Sequence, residues 1–356
     1  MRRFSILMKE KQNMATLSRL SLICVSTIFV SSFSHAQAGS AAAIAARSQI
    51  MSAFEASVAT HAEPNFSILK TLDFKSQSYQ ETVQRLGVRF TYPQGFEIDE
   101  QRDLLYVLRY SNGRPARAVI EKYRWSSGEL LSTYIIPEPQ ASVSEGLVVT
   151  QEEGGDVAFL RSDSALTRYR LVDDQSGFGT TQKLEAVASN VAQSFYHKGG
   201  EWYVEKFKTP EDALGQSRGQ YSVLDSSFKY VRDLDFTPQY SGYRNSEQLN
   251  LPKHQGFAVT DDGYAMTMGG YWSSHMKATP YHYFGVNLFD RHGKIVKSEY
   301  IAPEALVSQL SAMGIQADTV ENEGVQALSN GKLVTLQVVR TKGERSGKLL
   351  FLTLSP

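Results

Sequence analysis

The sequence predicts an all-β fold: a five-bladed β-propeller closed by an N-terminal strand, with a short N-terminal helix before it. Three observations support this prediction. A three-residue pattern recurs five times, a strongly apolar or aromatic strand follows each copy, and the last unit lacks one strand that the N-terminal part of the chain can supply. Radially repeated four-stranded antiparallel units of about 40 to 70 residues are typical of propeller blades.

The repeated pattern is Gln or Glu, then Gly or Ser, then an apolar residue. Its first residues are 51, 48, 62 and 68 positions apart along the chain. The copies, named the triplets below, are Gln94-Gly95-Phe96, Glu145-Gly146-Leu147, Gln193-Ser194-Phe195, Gln255-Gly256-Phe257 and Glu323-Gly324-Val325. A period of this length indicates a repeat architecture.

The second strand of each unit is rich in aromatic and β-branched residues, which favour sheets, and turns containing Asn-Gly, Gly-Gly or Asp-Gly lie nearby. These strands are Leu104–Tyr110, Val157–Arg161, Trp202–Phe207, Tyr264–Met268 and Leu333–Val339. The first and fourth units continue through two more strands each, to Glu138 and Glu304. Each unit is therefore predicted to be a four-stranded meander.

The fifth unit ends one strand short, after Lys348–Leu354. Residues Phe66–Phe74 have apolar side chains at alternate positions, which predicts a strand. Three C-terminal strands and this N-terminal strand would complete the fifth blade and leave no open sheet edge. A second helix is predicted from Pro303 to near Gly314, because proline begins helices and glycine ends them.

The first 38 residues have the features of a secretory signal: basic residues, an apolar stretch Leu20–Phe33 and then Ala36-Gln37-Ala38. Met14 precedes a more compact signal of the same kind and is an alternative start. The predicted organisation is a signal peptide at 1–38, a helical segment at 39–63 and the propeller at 64–356. Export to a periplasm or the cell exterior follows from this interpretation.

Removal of the signal changes the composition. The chain has 37 Lys+Arg, 37 Asp+Glu and one Cys, and residues 1–38 contain five of the basic residues, one of the acidic residues and that cysteine, Cys24. The mature balance is 32 against 36, a net charge of −4. This excludes a nucleic-acid binder driven by bulk charge and a disulfide scaffold. No later apolar segment is long enough to span a bilayer. The protein is expected to be a monomer.

The five triplets and the blade layout resemble the five-bladed propeller shared by helveticin-type bacteriocins, receptor-binding proteins of some phage tails, and teichoic acid biosynthesis protein C-like proteins. The resemblance covers Phe66 to Pro356. It implies the propeller fold and recognition of cell-envelope polymers or surfaces, and the bacteriocin members imply bacterial killing. Ser194 departs from the glycine of the pattern.

The first residues of the triplets form the first candidate site. They would make a polar ring around the propeller axis: Gln94, Glu145, Gln193, Gln255 and Glu323. Two carboxylates and three amides could bind Ca²⁺, which prefers oxygen ligands, or the hydroxyls of a sugar. Alternatively, these side chains bond the backbone of adjacent blades and fix the ring.

The second candidate is an aromatic insertion in the fourth unit, Gly269–Pro280, with its flanks. Aromatic rings stack on sugars while their polar tips form hydrogen bonds. The candidate binding residues are Tyr271, Trp272, His275, Tyr281 and Tyr283. Packing between blades is the alternative role.

No catalytic residues and no resident cofactor are predicted. Gly215-Gln216-Ser217-Arg218-Gly219 matches the nucleophile-elbow pattern but lacks the following helix that the motif needs. His275 and His282 do not have zinc-site spacing. The predicted function is a secreted, non-catalytic propeller that binds an envelope glycan or surface receptor. An exported hydrolase or lyase acting on an envelope polymer, and a bacteriocin-like antibacterial protein, are the alternatives.

Overall fold

The computed structural model describes residues 66–111, 116–136, 145–174, 176–206, 220–236, 253–269, 271–273, 284–301, 303–341 and 347–354. The predicted signal peptide, the N-terminal helical segment and the 215–219 motif lie outside these residues. The described residues are mostly β-strand, as predicted.

The strands, in chain order, are β1 Phe66–Asp73, β2 Thr91–Asp99, β3 Leu104–Ser111, β4 Ala118–Arg124, β5 Leu130–Ile135, β6 Val148–Glu152, β7 Gly155–Ser162, β8 Ala165–Val172, β9 Phe178–Ser189, β10 Val191–Lys198, β11 Glu201–Lys206, β12 Gln220–Leu224, β13 Tyr230–Asp235, β14 Lys253–Val259, β15 Gly263–Gly269, β16 Tyr271–Ser273, β17 Phe284–Asp290, β18 Ile295–Ile301, β19 Thr319–Ala327, β20 Leu333–Arg340 and β21 Gly347–Leu354. Helices α1 and α2 are Tyr79–Leu86 and Pro303–Ala312. The structure confirms the predicted α2, whereas the sequence analysis missed α1.

Twenty of the 21 described strands form five antiparallel groups of four, and the remaining short strand β16 pairs with β19 at the edge of the fifth group. The first to fourth groups are β2–β5, β6–β9, β10–β13 and β14-β15-β17-β18, and the fifth is β19-β20-β21-β1. The first two groups join into one eight-stranded sheet because β5 and β9 pair in parallel at Thr133↔Phe178 and Tyr134↔Gly179. The first three groups are thus meanders with local connections, as the repeat predicts. The fourth has β16 between its second and third strands in the sequence, and the fifth takes β1 from the N-terminal part of the chain.

The groups follow one another in a closed cycle. The first strand of each group contacts the first strand of the next, in the order β2, β6, β10, β14, β19 and back to β2. Apolar cores fill the spaces between consecutive groups, including the space between the fifth and the first. Strand β3 is buried along its whole length: Tyr106 and Leu108 face the second group, and Leu105 and Val107 face the fifth.

The N-terminal strand completes the fifth group, as predicted. Strand β1 pairs with β21 from Phe66↔Leu354 to Asp73↔Lys348. The first and last described strands therefore lie in one sheet, and β1 covers the edge of β21. This topology is that of a β-propeller. The number of blades, five, stays a prediction that the five four-stranded groups support.

A buried ion pair anchors the segment that follows β1. Arg109 Nε donates to Glu121 Oε2 at 2.6 Å, and Arg109 Nη2 donates to the Phe74 carbonyl at 2.6 Å. The two charged side chains are 0% and 1% exposed. The Arg109 guanidinium also lies over the rings of Phe74 and Tyr79, at 5.3 and 5.8 Å from their centroids. Because Tyr79 begins α1, this network fixes the start of that helix against the first group.

Candidate functional site: the triplet ring and its mouth

Four of the triplets lie within the first strands, and Glu145-Gly146-Leu147 directly precedes β6. The first strands contact one another at the centre of the cycle of groups. In four of the five groups the pairing with the second strand shifts by one or more residues at the triplet, as in a β-bulge. The shifts fall between Pro93 and Gly95, Val191 and Phe195, His254 and Phe257, and Asn322 and Gly324. The repeated pattern thus marks a repeated backbone irregularity.

The triplet glycines let each first strand approach the next one closely. A Cβ on Gly95 would lie 2.9 Å from the Glu145 carbonyl oxygen, and one on Gly146 would lie 2.8 Å from the Phe195 ring. A Cβ on Gly256 would lie 2.8 Å from the Val325 nitrogen. Gly324 completes the cycle because its Cβ position is 3.3 Å from the Phe96 ring.

This packing predicts a stability effect. Replacing Gly256 by Ala puts a methyl group against backbone atoms of β19 that cannot swing away, so we expect a loss of about 1–3 kcal/mol in the free energy of unfolding. Ser194→Ala is the matched control, because the third copy already accommodates a Cβ. Urea unfolding midpoints measure the difference. Equal midpoints for the two variants would show that the glycine is not needed for close packing.

The polar ring residues are largely buried. Glu323 is 0% exposed, Glu145 and Gln255 are each 6% exposed, and Gln94 is partly buried. Gln255 Nε2 donates to Glu323 Oε2 at 3.4 Å, which links the fourth and fifth groups. Gln94 Nε2 donates to the Pro93 carbonyl at 2.9 Å. The side chain of Gln193 lies outside the described part of the structure.

These contacts indicate what the ring can do chemically. The Gln255–Glu323 bond joins neighbouring blades, which is the structural role considered for the ring from its sequence. No group of three or more His, Cys, Asp or Glu side chains that could hold a metal ion occurs within the described ranges. Ca²⁺ binding and ligand binding by the ring stay predictions.

The sequence analysis missed a second set of polar residues behind the ring. Each second strand carries a buried polar side chain near the triplet: Arg109, Arg161, Glu205, Thr267 and Gln337. On β20, Thr335 is also buried and pairs with Val325. A signal for them exists, because each follows at least three mostly apolar residues, 11 to 15 positions after the middle residue of its triplet. Their role depends on strand pairing, so it becomes visible only in the structure.

Two members of this set receive hydrogen bonds from the triplet backbone in their own group. Ser194 N donates to Glu205 Oε2 at 2.9 Å, and Gln255 N donates to Thr267 Oγ1 at 3.1 Å. A bulge breaks the ladder, so its backbone donors need side-chain acceptors. Glu205 and Thr267 therefore satisfy backbone donors of the irregular backbone at their triplets.

Two other members bond side chains or backbone nearby. Gln337 Nε2 donates to Asn322 Oδ1 at 2.6 Å, just before the fifth triplet. Arg161 Nε donates to the Val191 carbonyl at 2.8 Å and so connects the second group to the first strand of the third. Burial lowers the pKa of Arg161. The set thus supports the ring both within and between groups.

Beyond the triplets, the first strands carry a further layer of side chains. Gln326 Oε1 accepts a hydrogen bond from Ile98 N at 2.7 Å, and Gln326 Nε2 donates one to the Ile98 carbonyl at 2.8 Å. Gln326 Nε2 also donates to Glu97 Oε1 at 3.4 Å. Burial raises the pKa of Glu97 to about 8, and the nearby Asp99 carboxylate adds to the shift. Burial, and secondarily the charge of Glu97, raises the pKa of Tyr196 on the third group.

The aromatic insertion lies next to the ring. Part of it forms a short strand, β16, where a binding loop was expected, and β16 pairs with β19 at Tyr271↔Glu321, Trp272↔Val320 and Ser273↔Thr319. In the sheet, β19 lies between β20 and β16, so β16 is on the side of β19 away from the rest of its blade. The structure thereby brings the two candidate sites together, because the pairing ends two residues before Glu323.

The other predicted insertion residues, His275, Tyr281 and Tyr283, lie outside the described residues, as do the side chains of Tyr271 and Trp272. Ser273 is buried. The sequence could not reveal the β16–β19 pairing, because it joins segments about 50 residues apart in different units.

A polar cluster borders β16. Tyr92 Oη donates to Glu321 Oε2 at 2.6 Å, and the Arg340 guanidinium lies 5.1 Å from the centroid of the Tyr92 ring. Burial raises the pKa of Tyr92, and the charges of Glu321 and Glu323 raise it further. We call β16 and this cluster of Tyr92, Glu321 and Arg340 the ring mouth. It offers both hydrogen-bond donors and acceptors.

Comparison with known proteins gives limited information. No protein-family model and no curated protein matches the chain. Among solved structures, the chain is similar to the tail fiber of Staphylococcus aureus phage P68, with 12% identity, a TM-score of 0.46 and coverage of 76% of this chain and 51% of that one. The match therefore spans about half of the tail fiber. A structure of the RS223 β-xylosidase gives 11% identity and a TM-score of 0.40, with coverage of 73% and 91%.

A structure of the Dos1 propeller is similar at 10% identity and a TM-score of 0.29, with coverage of 70% and 55%. Such values carry no argument about function. The class of protein rests on the chain's own strand order, the closed cycle of first strands and the pairing of β1 with β21, which define a β-propeller. No helix in the described ranges is long and apolar enough to cross a membrane.

Proposed function

We propose that this β-propeller is an exported, non-catalytic protein that binds an envelope glycan or a surface receptor at the ring mouth. The pairing of β16 with β19 carries the proposal, since it brings an aromatic-rich segment to the edge of a first strand. Tyrosine and tryptophan are favoured at binding surfaces because they combine apolar area with a polar tip.

The hydrogen-bonding groups of the polar cluster favour a hydroxyl-rich ligand. Tyr92, Glu321 and Arg340 lie beside β16 and supply a phenol, a carboxylate and a guanidinium. Sugar hydroxyls both donate and accept hydrogen bonds, so a mixture of these groups suits them better than a single charge would. Glu323 of the ring lies two residues beyond the end of the β16–β19 pairing.

Co-sedimentation of purified mature protein with bacterial envelopes tests the proposal. Trp272→Ala should weaken binding at least about tenfold, because an aromatic anchor contributes much of the binding energy at such a site. Trp272→Phe, which keeps an aromatic ring, should retain part of the binding affinity. Tyr230→Ala is the control, since Tyr230 is 63% exposed on β13, away from the mouth.

Two further measurements distinguish binding to a glycan, binding to a protein receptor and enzymatic activity. Binding that disappears when polysaccharide is chemically stripped from the envelopes indicates a glycan, and binding that disappears after protease treatment indicates a protein receptor. Unchanged co-sedimentation by Trp272→Ala would contradict the ring mouth as the site. Release of soluble fragments by the wild type, abolished in Glu145→Gln plus Glu323→Gln, would show an enzyme and overturn the non-catalytic assignment.

A further inference from the structure

The ring mouth has hydrogen-bond donors and an acceptor in neighbouring rows on one face of the fifth group. Thr319 on β19 lies opposite Arg340 on β20, and Glu321 lies two residues further along β19. Because side chains alternate between the two faces of a strand, these three side chains share one face. Val338, opposite Glu321, belongs to the apolar core shared with the first group, so this face is turned toward the first group.

The row of Thr319 and Arg340, named the donor row, has donors without acceptors. Thr319 Oγ1 and Arg340 Nε are buried and have no hydrogen-bond partner. The Arg340 guanidinium lies over the Tyr92 ring, 5.1 Å from its centroid, and within the described ranges it forms no ion pair. Leaving a buried donor unpaired is unfavourable, so an acceptor supplied by a ligand would stabilise this row.

The second row supplies the acceptor, the Glu321 carboxylate. Tyr92 Oη donates to Glu321 Oε2 at 2.6 Å and so fixes the carboxylate. Glu321 is partly exposed and Tyr92 uses only Oε2, which leaves Oε1 to accept from a ligand. Tyr92 therefore supports both rows, Arg340 through its ring and Glu321 through its hydroxyl.

The spacing of the two rows indicates which ligand group fits. Positions two apart on a strand are separated by about 6.8 Å. A trans secondary amide that accepts at its oxygen and donates from its nitrogen spans about 7–8 Å between its two partner atoms. A hydroxyl that both accepts and donates spans only about 5 Å, and a carboxylate has no hydrogen to donate to Glu321. An amide thus matches the two rows best.

The surrounding charges disfavour a charged ligand group. Burial, and then the charges of Glu321 and Glu323, raise the pKa of Tyr92, whereas the charge of Arg340 lowers it. All three charges therefore act on the same hydroxyl. An anionic group would approach two carboxylates, and a cationic group would approach the Arg340 guanidinium. A neutral amide avoids both repulsions.

We propose that the ring mouth recognises the acetamido group of an N-acetylated amino sugar. The acetamido oxygen accepts from the donor row, and its N–H donates to Glu321. The inference rests on the proposed function, since it assigns the glycan class that the same site takes. An acetamido group is a neutral secondary amide, so it supplies one acceptor and one donor on opposite sides of a single group.

Three β-1,4-linked disaccharides that differ only at carbon 2 test the assignment. They are those of N-acetylglucosamine, glucose and glucosamine, which carry an acetamido, a hydroxyl and an ammonium group at this position. Isothermal titration calorimetry should show saturable binding of the N-acetylglucosamine disaccharide, at least about tenfold tighter than that of the other two. Arg340→Met and Glu321→Leu should each weaken it about tenfold, because each removes a hydrogen bond to a charged group.

Two further variants keep the test independent of folding. Thr319→Val retains the shape of the side chain, removes its hydroxyl and should weaken binding severalfold. Arg124→Met is the matched control, since Arg124 lies in the first group with its side chain 46% exposed, and it should leave the affinity unchanged. Urea unfolding midpoints show whether each variant is folded.

The outcomes separate this assignment from the proposed function. The acetamido assignment would be overturned if the glucose disaccharide bound equally well, if the glucosamine disaccharide bound more tightly, or if the affinity survived all three substitutions. Sedimentation of the wild type with envelopes, without binding of the three disaccharides, would also overturn it but would leave the proposed function in place. Failure of the wild type to bind envelopes or disaccharides would contradict both.

Discussion

Arg109→Met should destabilise the protein by about 3–5 kcal/mol, because it leaves the Glu121 carboxylate buried without its cation. Glu121 keeps a hydrogen bond from Tyr123 Oη at 2.8 Å, but no described cation replaces Arg109 beside it. The variant also loses the bond from Arg109 to the Phe74 carbonyl. The free energy of unfolding, measured in urea, gives the size of the loss.

A double variant and an exposed ion pair serve as controls. Arg109→Met with Glu121→Leu removes both charges, so it should be more stable than the single variant. Arg85→Met breaks the Arg85–Glu81 pair of α1, whose side chains are about half exposed, and should change stability by less than about 1 kcal/mol. If Arg109→Met behaved like Arg85→Met, the Arg109–Glu121 pair would not anchor the segment after β1.

Glu97→Gln should remove a pH dependence of stability. The folded-state pKa of Glu97 is raised to about 8 by burial, whereas the ordinary value is 4.5. Between these values the folded protein keeps a proton that the unfolded chain releases, so the free energy of unfolding falls as pH rises. The slope contributed by this one group is at most about 1.4 kcal/mol per pH unit. Below pH 4.5 both states are protonated and the contribution disappears.

Thermal or urea unfolding from pH 4 to pH 9 measures this effect. Glu97→Gln should match the wild type near pH 4 and should be more stable above pH 8, since glutamine keeps the partner Gln326 but carries no charge. The exposed Glu129→Gln is the matched control and should keep the wild-type profile. A wild-type slope retained in Glu97→Gln would show that Glu97 ionises normally in the folded protein.

Much of the architecture was predictable because the repeat has a physical cause. The triplet glycines recur because each one lies against the next first strand. Gly95, Gly146, Gly256 and Gly324 are therefore a sequence pattern from which the closed cycle of strands could be predicted. The pairing of β1 with β21 was predictable from the missing strand and from the alternating apolar residues of Phe66–Phe74. Local patterns sufficed wherever each unit repeats the same contacts.

The candidate site was predictable only in part. The polar ring residues could be chosen from the pattern, but their burial and the Gln255–Glu323 bond required the structure. Thr267 and Glu205 appear in the sequence merely as polar interruptions of apolar strands, because their bonds to the triplet backbone depend on register.

Binding of the ligand at the ring mouth can be tested by one NMR measurement. The chain has three tryptophans: Trp272 in β16, Trp125 packed edge-on against Phe351, and Trp202 stacked on His197 in the third group. Solubilised envelope polysaccharide is titrated into indole-¹⁵N-labelled protein. If the ring mouth binds the polysaccharide, the Trp272 signal shifts saturably while the signals of Trp125 and Trp202 stay in place. A saturable shift of Trp125 or Trp202 with Trp272 unchanged would contradict it.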